Sequence, residues 1–141
     1  MENCVFCRIA RKESPASIIY EEEKTIAFLD IQPVNAGHSL VIPRSHATEL
    51  RDLSEEDGAH MFRIAMRVSE AIRHSGLKCE GINLHLADGT VAGQEVPHVH
   101  LHVIPRFHGD GFRIGFGRSY GVKPDRKELE KTATRIRENQ R

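Results

Sequence analysis

Between Ser54 and His74 the residues Met61, Phe62, Ala65, Met66, Val68, Ser69 and Ile72, apolar but for Ser69, recur at steps of three and four. This spacing predicts an amphipathic helix about twenty residues long. Ser54 is placed to cap it, Glu55, Glu56 and Asp57 fall in the first turn where the helix dipole favours negative charge, and Gly76 stands just past the end. Elsewhere the period is two, or the run is short and apolar. Ser17 to Tyr20 and Thr25 to Leu29 read as strands joined by the charged turn Glu21 to Lys24. Ser39 to Ile42, closed by Pro43, is rich in β-branched residues and reads as a buried strand. Gly81 to Ala87 puts Ile82, Leu84 and Leu86 on one face, and His98 to Pro105 alternates again. A final helix is expected from about Asp125 to Asn139, with Leu129, Ala133 and Ile136 as its inner stripe.

Strand follows strand without a helix between them on three occasions, so an α+β fold is expected: an antiparallel sheet of about five strands, one long helix and a short C-terminal helix. With 141 residues and no repeat, linker or low-complexity tract, the chain reads as a single domain. Twenty Lys and Arg balance twenty Asp and Glu. That balance argues against bulk binding to nucleic acid or to an acidic membrane surface. No apolar run approaches the ~20 residues of a membrane span. Three cysteines and no visible export signal favour a reducing cytoplasm.

The unusual figure is nine histidines. In a strand, His98, His100 and His102 would share one face, with alternate Cα atoms ~6.5 Å apart, while Val99, Leu101 and Val103 anchor the other. Such a row suits either of two chemistries. It could bind a metal through neutral ring nitrogens, or its middle imidazole could attack phosphorus while its neighbours orient it. The bland alternative is a polar strand surface. The loop Asp88 to Val96 is rich in glycine, so its backbone N–H groups can form an anion cradle, with Gln94 as a neutral donor. Cys4-x-x-Cys7 is half of a structural zinc site. Cys79 reads as packing, and His60, His74, His85 and His108 as surface or satisfied core.

The string His98-Val-His-Leu-His-Val-Ile-Pro-Arg106 resembles the signature of the histidine triad (HIT) family, of bacterial or archaeal type. Cys4 to Ile9, Ala27 to Pro33, Gly37 to Pro43, Ala92 to Val96 and Gly109 to Phe112 extend the likeness. It covers a core of about 4–112, leaving 113–141 as a C-terminal extension. The resemblance implies a nucleotidyl hydrolase acting at the α-phosphorus of nucleoside phosphoramidates or dinucleoside polyphosphates, releasing AMP or GMP. His100 would be the nucleophile, forming a nucleotidyl-histidine. His102 would contact the α-phosphate, His98 would orient the nucleophile's side of the site, and His38 would be a further family histidine. Asp30 would accept from the ribose hydroxyls, Phe28 and Ile31 would flank a purine base, and Gln94 would contact phosphate. Structural zinc would be held by Cys4, Cys7, His46 and His98, with no catalytic cofactor, and the chain would form a homodimer.

The chain departs from the family pattern twice. Ala87 stands where relatives carry an amide near the α-phosphate, and Glu95 stands where they carry a hydroxyl near the leaving group. These departures motivate an alternative, a purine-nucleotide-binding regulatory module with little turnover. A third reading makes the histidine row a catalytic metal site.

Overall fold

A computed structural model describes residues 3–140, which divide into two compact units, one ending at Gly111 and one beginning at Phe112. The first unit is built on a five-stranded antiparallel sheet with β1 (Ile18–Glu21), β2 (Thr25–Leu29), β3 (Ser39–Pro43), β4 (Gly81–His85) and β5 (Leu101–Arg106) in the order β1-β2-β3-β5-β4. The expected fold class is the observed one. Strands β2 and β3 are apolar on both faces because both faces are covered. Ile26, Phe28, Leu40 and Ile42 meet helix α1 (Val5–Ala10), a short turn that the sequence reading left unassigned. The alternate residues Ala27 and Val41, with Leu101 and Val103 of β5, meet helix α2 (Glu55–His74) through Met61, Ile64, Ala65, Val68 and Ile72. Burial of that stripe supplies the helix's stability, since propensity alone is weak.

Helix α2 begins as its sequence demands. The Ser54 hydroxyl accepts from the Asp57 N–H at 3.1 Å, with three acidic residues in the first turn. Two of its expected inner residues, Phe62 and Met66, instead point outward and are more than half exposed, because Ile64 turns inward to the sheet in their place.

The histidine segment corrects the expected strand from His98. Hydrogen bonding of the ladder starts only at Leu101, because the Val99 N–H donates to the Ala47 carbonyl and the His98 N–H to the Val96 carbonyl. Alternation nevertheless holds for Val99, Leu101 and Val103, all buried on the α2 side. Strand β4 likewise ends at His85, before the expected Ala87.

The second unit, from Phe112, contains helix α3 (Arg126–Arg137), capped by the Asp125 carboxylate accepting from the Glu128 N–H at 2.8 Å. None of its residues is buried, and Leu129 and Ile136 are exposed, so the expected inner stripe has no core to enter within this unit.

Candidate active site

Two clusters of histidines flank the start of β5, where the sequence reading foresaw a single row. His98 turns one way. It is fully buried, and its Nε2 lies 2.9 Å from the carbonyl of Pro43. A carbonyl only accepts, so Nε2 carries the proton and Nδ1 presents its lone pair. That lone pair faces Cys4 Sγ at 3.4 Å and Cys7 Sγ at 3.6 Å, while His46 Nδ1 lies 3.2 Å from Cys7 Sγ. Cys4 caps α1 and Cys7 sits on its first turn, so the Cys-x-x-Cys spacing delivers both sulfurs to one point.

These four side chains fit a zinc ion. Zinc–sulfur bonds near 2.3 Å and zinc–nitrogen bonds near 2.0 Å put tetrahedral S···N edges at about 3.5 Å, close to the spacings found here. The four ligand atoms all lie within 4.8 Å of one another, and the Pro43 carbonyl holds His98 in the ligating tautomer. Burial, reinforced by Cys4, pushes the Cys7 thiol up, and burial pulls His98 down to about 4; a cation would reverse the first effect and exploit the second.

The other histidines form a chain of hydrogen bonds with a readable direction. The Val34 N–H donates to His38 Nδ1 at 3.0 Å, so the proton of neutral His38 sits on Nε2. That Nε2–H donates to His102 Nδ1 at 2.8 Å, which leaves His102 with its own proton on Nε2. His100 is set the opposite way. Its Nδ1–H donates to the backbone carbonyl of His98 at 2.7 Å, leaving a lone pair on Nε2. The rings of His100 and His102 stand 5.1 Å apart. One uncommitted acceptor and one uncommitted donor are therefore side by side, which is what attack on phosphorus beside a phosphate-oxygen contact requires.

Burial favours the neutral form of His38 and His102. Burial lowers His38, and it lowers His102 to about 4 with help from the neighbouring His100 and His38, against the pull of Asp30. Asp30 turns Oδ1 to the Gln32 N–H at 2.8 Å and Oδ2 toward His38 Nε2 at 3.5 Å. Asp30, His38 and His102 form a second constellation able to approach a metal ion. The Val34 N–H argues against that use, because it forces the proton of His38 onto the nitrogen that would have to ligate.

Three foreseen substrate contacts sit differently. Phe28 is buried, edge-on to Phe6 at 5.5 Å, as a core residue, whereas Ile31 is 95% exposed, so the two do not form the walls of one open slot. Gln94 is buried and spends its amide on the loop: Oε1 accepts from the Gly89 N–H at 2.8 Å, and Nε2 donates to the carbonyls of Thr48 and Val96. It shapes the glycine-rich turn and has no free donor for phosphate. Glu95 is exposed and Ala87 is half-buried. The sequence reading missed Phe6, whose ring lies edge-on to His100 at 5.2 Å, and His85, paired with His102 across β4 and β5. The apolar Phe6 between two cysteines carried no chemical signal. For His85, the alternation of β4 against β5 could have suggested the pairing.

The HIT domain model matches residues 11–109. A crystal structure of a HIT family protein from Bacillus anthracis superposes with a TM-score of 0.91 at 34% identity, covering 99% of both chains. A zinc-bound histidine triad family protein from Mycobacterium smegmatis gives 0.76 at 39% identity, again covering 99% of both. An adenosine 5′-monophosphoramidase of Schizosaccharomyces pombe is 36% identical over 124 residues, covering 87% of this chain and 89% of its own.

Proposed function

The chain belongs to the HIT family, and from that premise we propose that it is a hydrolase cleaving at the α-phosphate of a purine nucleotide derivative, a phosphoramidate or a dinucleoside polyphosphate, to release a nucleoside monophosphate. The observation that carries the reading is the opposed protonation of two neighbouring rings, His100 offering a lone pair and His102 a proton. The His100 Nε2 attacks the α-phosphorus as the bond to the leaving group breaks, and the leaving group takes up a proton from solvent, which the later hydrolysis returns. Water then attacks the nucleotidyl-histidine, the phosphorus–nitrogen bond breaks, and AMP or GMP is released with His100 restored. The Nε2–H of His102 donates to a non-bridging phosphate oxygen as charge builds there, held in that tautomer by His38 and Val34. Asp30 Oδ2 accepts from the ribose hydroxyls. Cys4, Cys7, His46 and His98 would hold a zinc ion whose role is to fix the fold around His98, and no bond to substrate passes through it.

A homodimer is part of the same proposal, supported by the outward Phe62 and Met66 of α2. The alternative, a nucleotide-binding module with little turnover, is favoured by Ala87, which offers no amide to the phosphate.

The test is release of AMP from adenosine 5′-phosphoramidate by wild type and His100→Ala. Loss of at least about a thousandfold in kcat, with AMP still bound, is expected for removal of a nucleophile. Turnover surviving in His100→Ala refutes the covalent route, and wild type that binds AMP without turnover establishes the module.

A further inference from the structure

We propose that His85 is the leaving-group contact of this site, binding the phosphate that follows the α-phosphate in the substrate. Of the nine histidines, eight place a ring nitrogen in a hydrogen bond or ion pair. Outside the two clusters, His60 has Glu22, His74 has Glu70 and His108 has Glu80. His85 has no such partner among the described residues. Its position is nevertheless well defined, since the antiparallel register sets it directly opposite His102. Side chains so paired share a face of the sheet, and the two rings stand 5.7 Å apart, tilted by 49°. His85 is exposed, so a ligand can reach it.

The order of the strands supplies the direction. Asp30 follows β2 and His38 precedes β3, His102 lies on β5, and His85 lies on the edge strand β4. This inference rests on the hydrolase reading, in which Asp30 holds the ribose and His100 attacks the α-phosphorus. A substrate so placed runs from β2 toward β4, and what lies beyond the α-phosphate arrives at His85. The group waiting there is an imidazole with both nitrogens uncommitted, beside the Nε2–H of His102. Ring N–H groups recognise phosphate oxygens. An imidazole N–H at His85, beside that of His102, suits a leaving group that begins with phosphate. His85 also stands two residues before Ala87, which offers no amide to the phosphate, and it supplies a donor from a different position.

The experiment compares AMP with ADP, which differ by that one phosphate, in calorimetric titrations of wild type, His85→Ala and His85→Gln. A hydrogen bond to a charged group is worth roughly ten- to a hundredfold in affinity. His85→Ala is expected to weaken ADP about tenfold more than AMP, and His85→Gln, which keeps a donor, to recover part of the loss. In turnover, the kcat/KM ratio of diadenosine tetraphosphate to adenosine 5′-phosphoramidate is expected to fall about tenfold in His85→Ala. Equal shifts for AMP and ADP, or no shift in either, together with an unchanged kcat/KM ratio, overturn the assignment. Failure of the hydrolase reading has a different signature: wild type would bind AMP without turning over either substrate, while the ADP-to-AMP comparison would still report on His85.

Discussion

The backbone carbonyl of His98 accepts the Nδ1–H of His100 at 2.7 Å, while the ring of the same His98 turns its Nδ1 to the sulfurs of Cys4 and Cys7. One residue thus joins the cation site to the nucleophile, through its side chain on one side and its main chain on the other. Phe6, carried between the two cysteines, lies edge-on to both rings, at 5.9 Å from His98 and 5.2 Å from His100.

The cation site is expected to hold one zinc per chain, lost in Cys7→Ser and kept in His102→Ala, as read by elemental analysis. A tightly held ion contributes several kcal/mol to a folded chain of this size, so its loss should lower Tm by roughly 10 °C. Zinc that disappears with His102 and persists without Cys7 would place the metal in the histidine chain instead.

Stability should fall in mild acid because of His102. A free imidazole binds its proton near pH 6.5, but burial holds folded His102 at about 4. Between those values the unfolded chain takes up more protons than the folded one. The stability tied to neutral His102 is therefore present above about pH 6.5 and is lost as pH falls toward 4, by up to about 3 kcal/mol. Urea unfolding from pH 7.5 to 4.5 measures the slope, and His102→Gln should flatten it. An identical slope in that variant contradicts the burial argument.

Gly37 holds a left-handed φ of +97°, and a Cβ there would come within 2.9 Å of Leu77 Cδ1. Gly37→Ala combines backbone strain with that clash and should cost about 1–3 kcal/mol. Because His38 follows directly, the variant should also lose kcat by more than its stability loss accounts for. Thermal melts and turnover on the same preparation separate the two effects; wild-type values in both would sink the prediction.

Ala87→Gln restores an amide beside the glycine-rich loop. One donor to a developing phosphate charge is worth about 10²–10³ in rate where geometry is good, so a rise in kcat of at least about tenfold is expected. A flat response shows that position 87 does not limit turnover and shifts weight to His85 as the donor on that side.

The residues themselves carried much of this. Alternation identified Val99, Leu101 and Val103 as buried, because a strand between two layers can place apolar side chains nowhere else. The three-and-four spacing and Ser54 located α2 almost to the residue, since capping and amphipathicity are local. The triad and the Cys-x-x-Cys pair were legible as chemistry because their residue types have few other uses at such spacing, whereas Asp30 and His38 entered only through the resemblance to the HIT family. Tertiary structure alone decided which way each ring points. Alternation put His98, His100 and His102 on one face, but the Ala47 carbonyl claims the Val99 N–H before the ladder begins, and His98 rotates to the cysteines. The tautomers of His38 and His100 depend on Val34 and on a main-chain carbonyl, and no side-chain pattern encodes such partners. His85 joined the site only through the register of β4 on β5, a contact between positions seventeen residues apart. Local sequence specifies periods and caps; direction and proton placement come from whatever the fold brings across the gap.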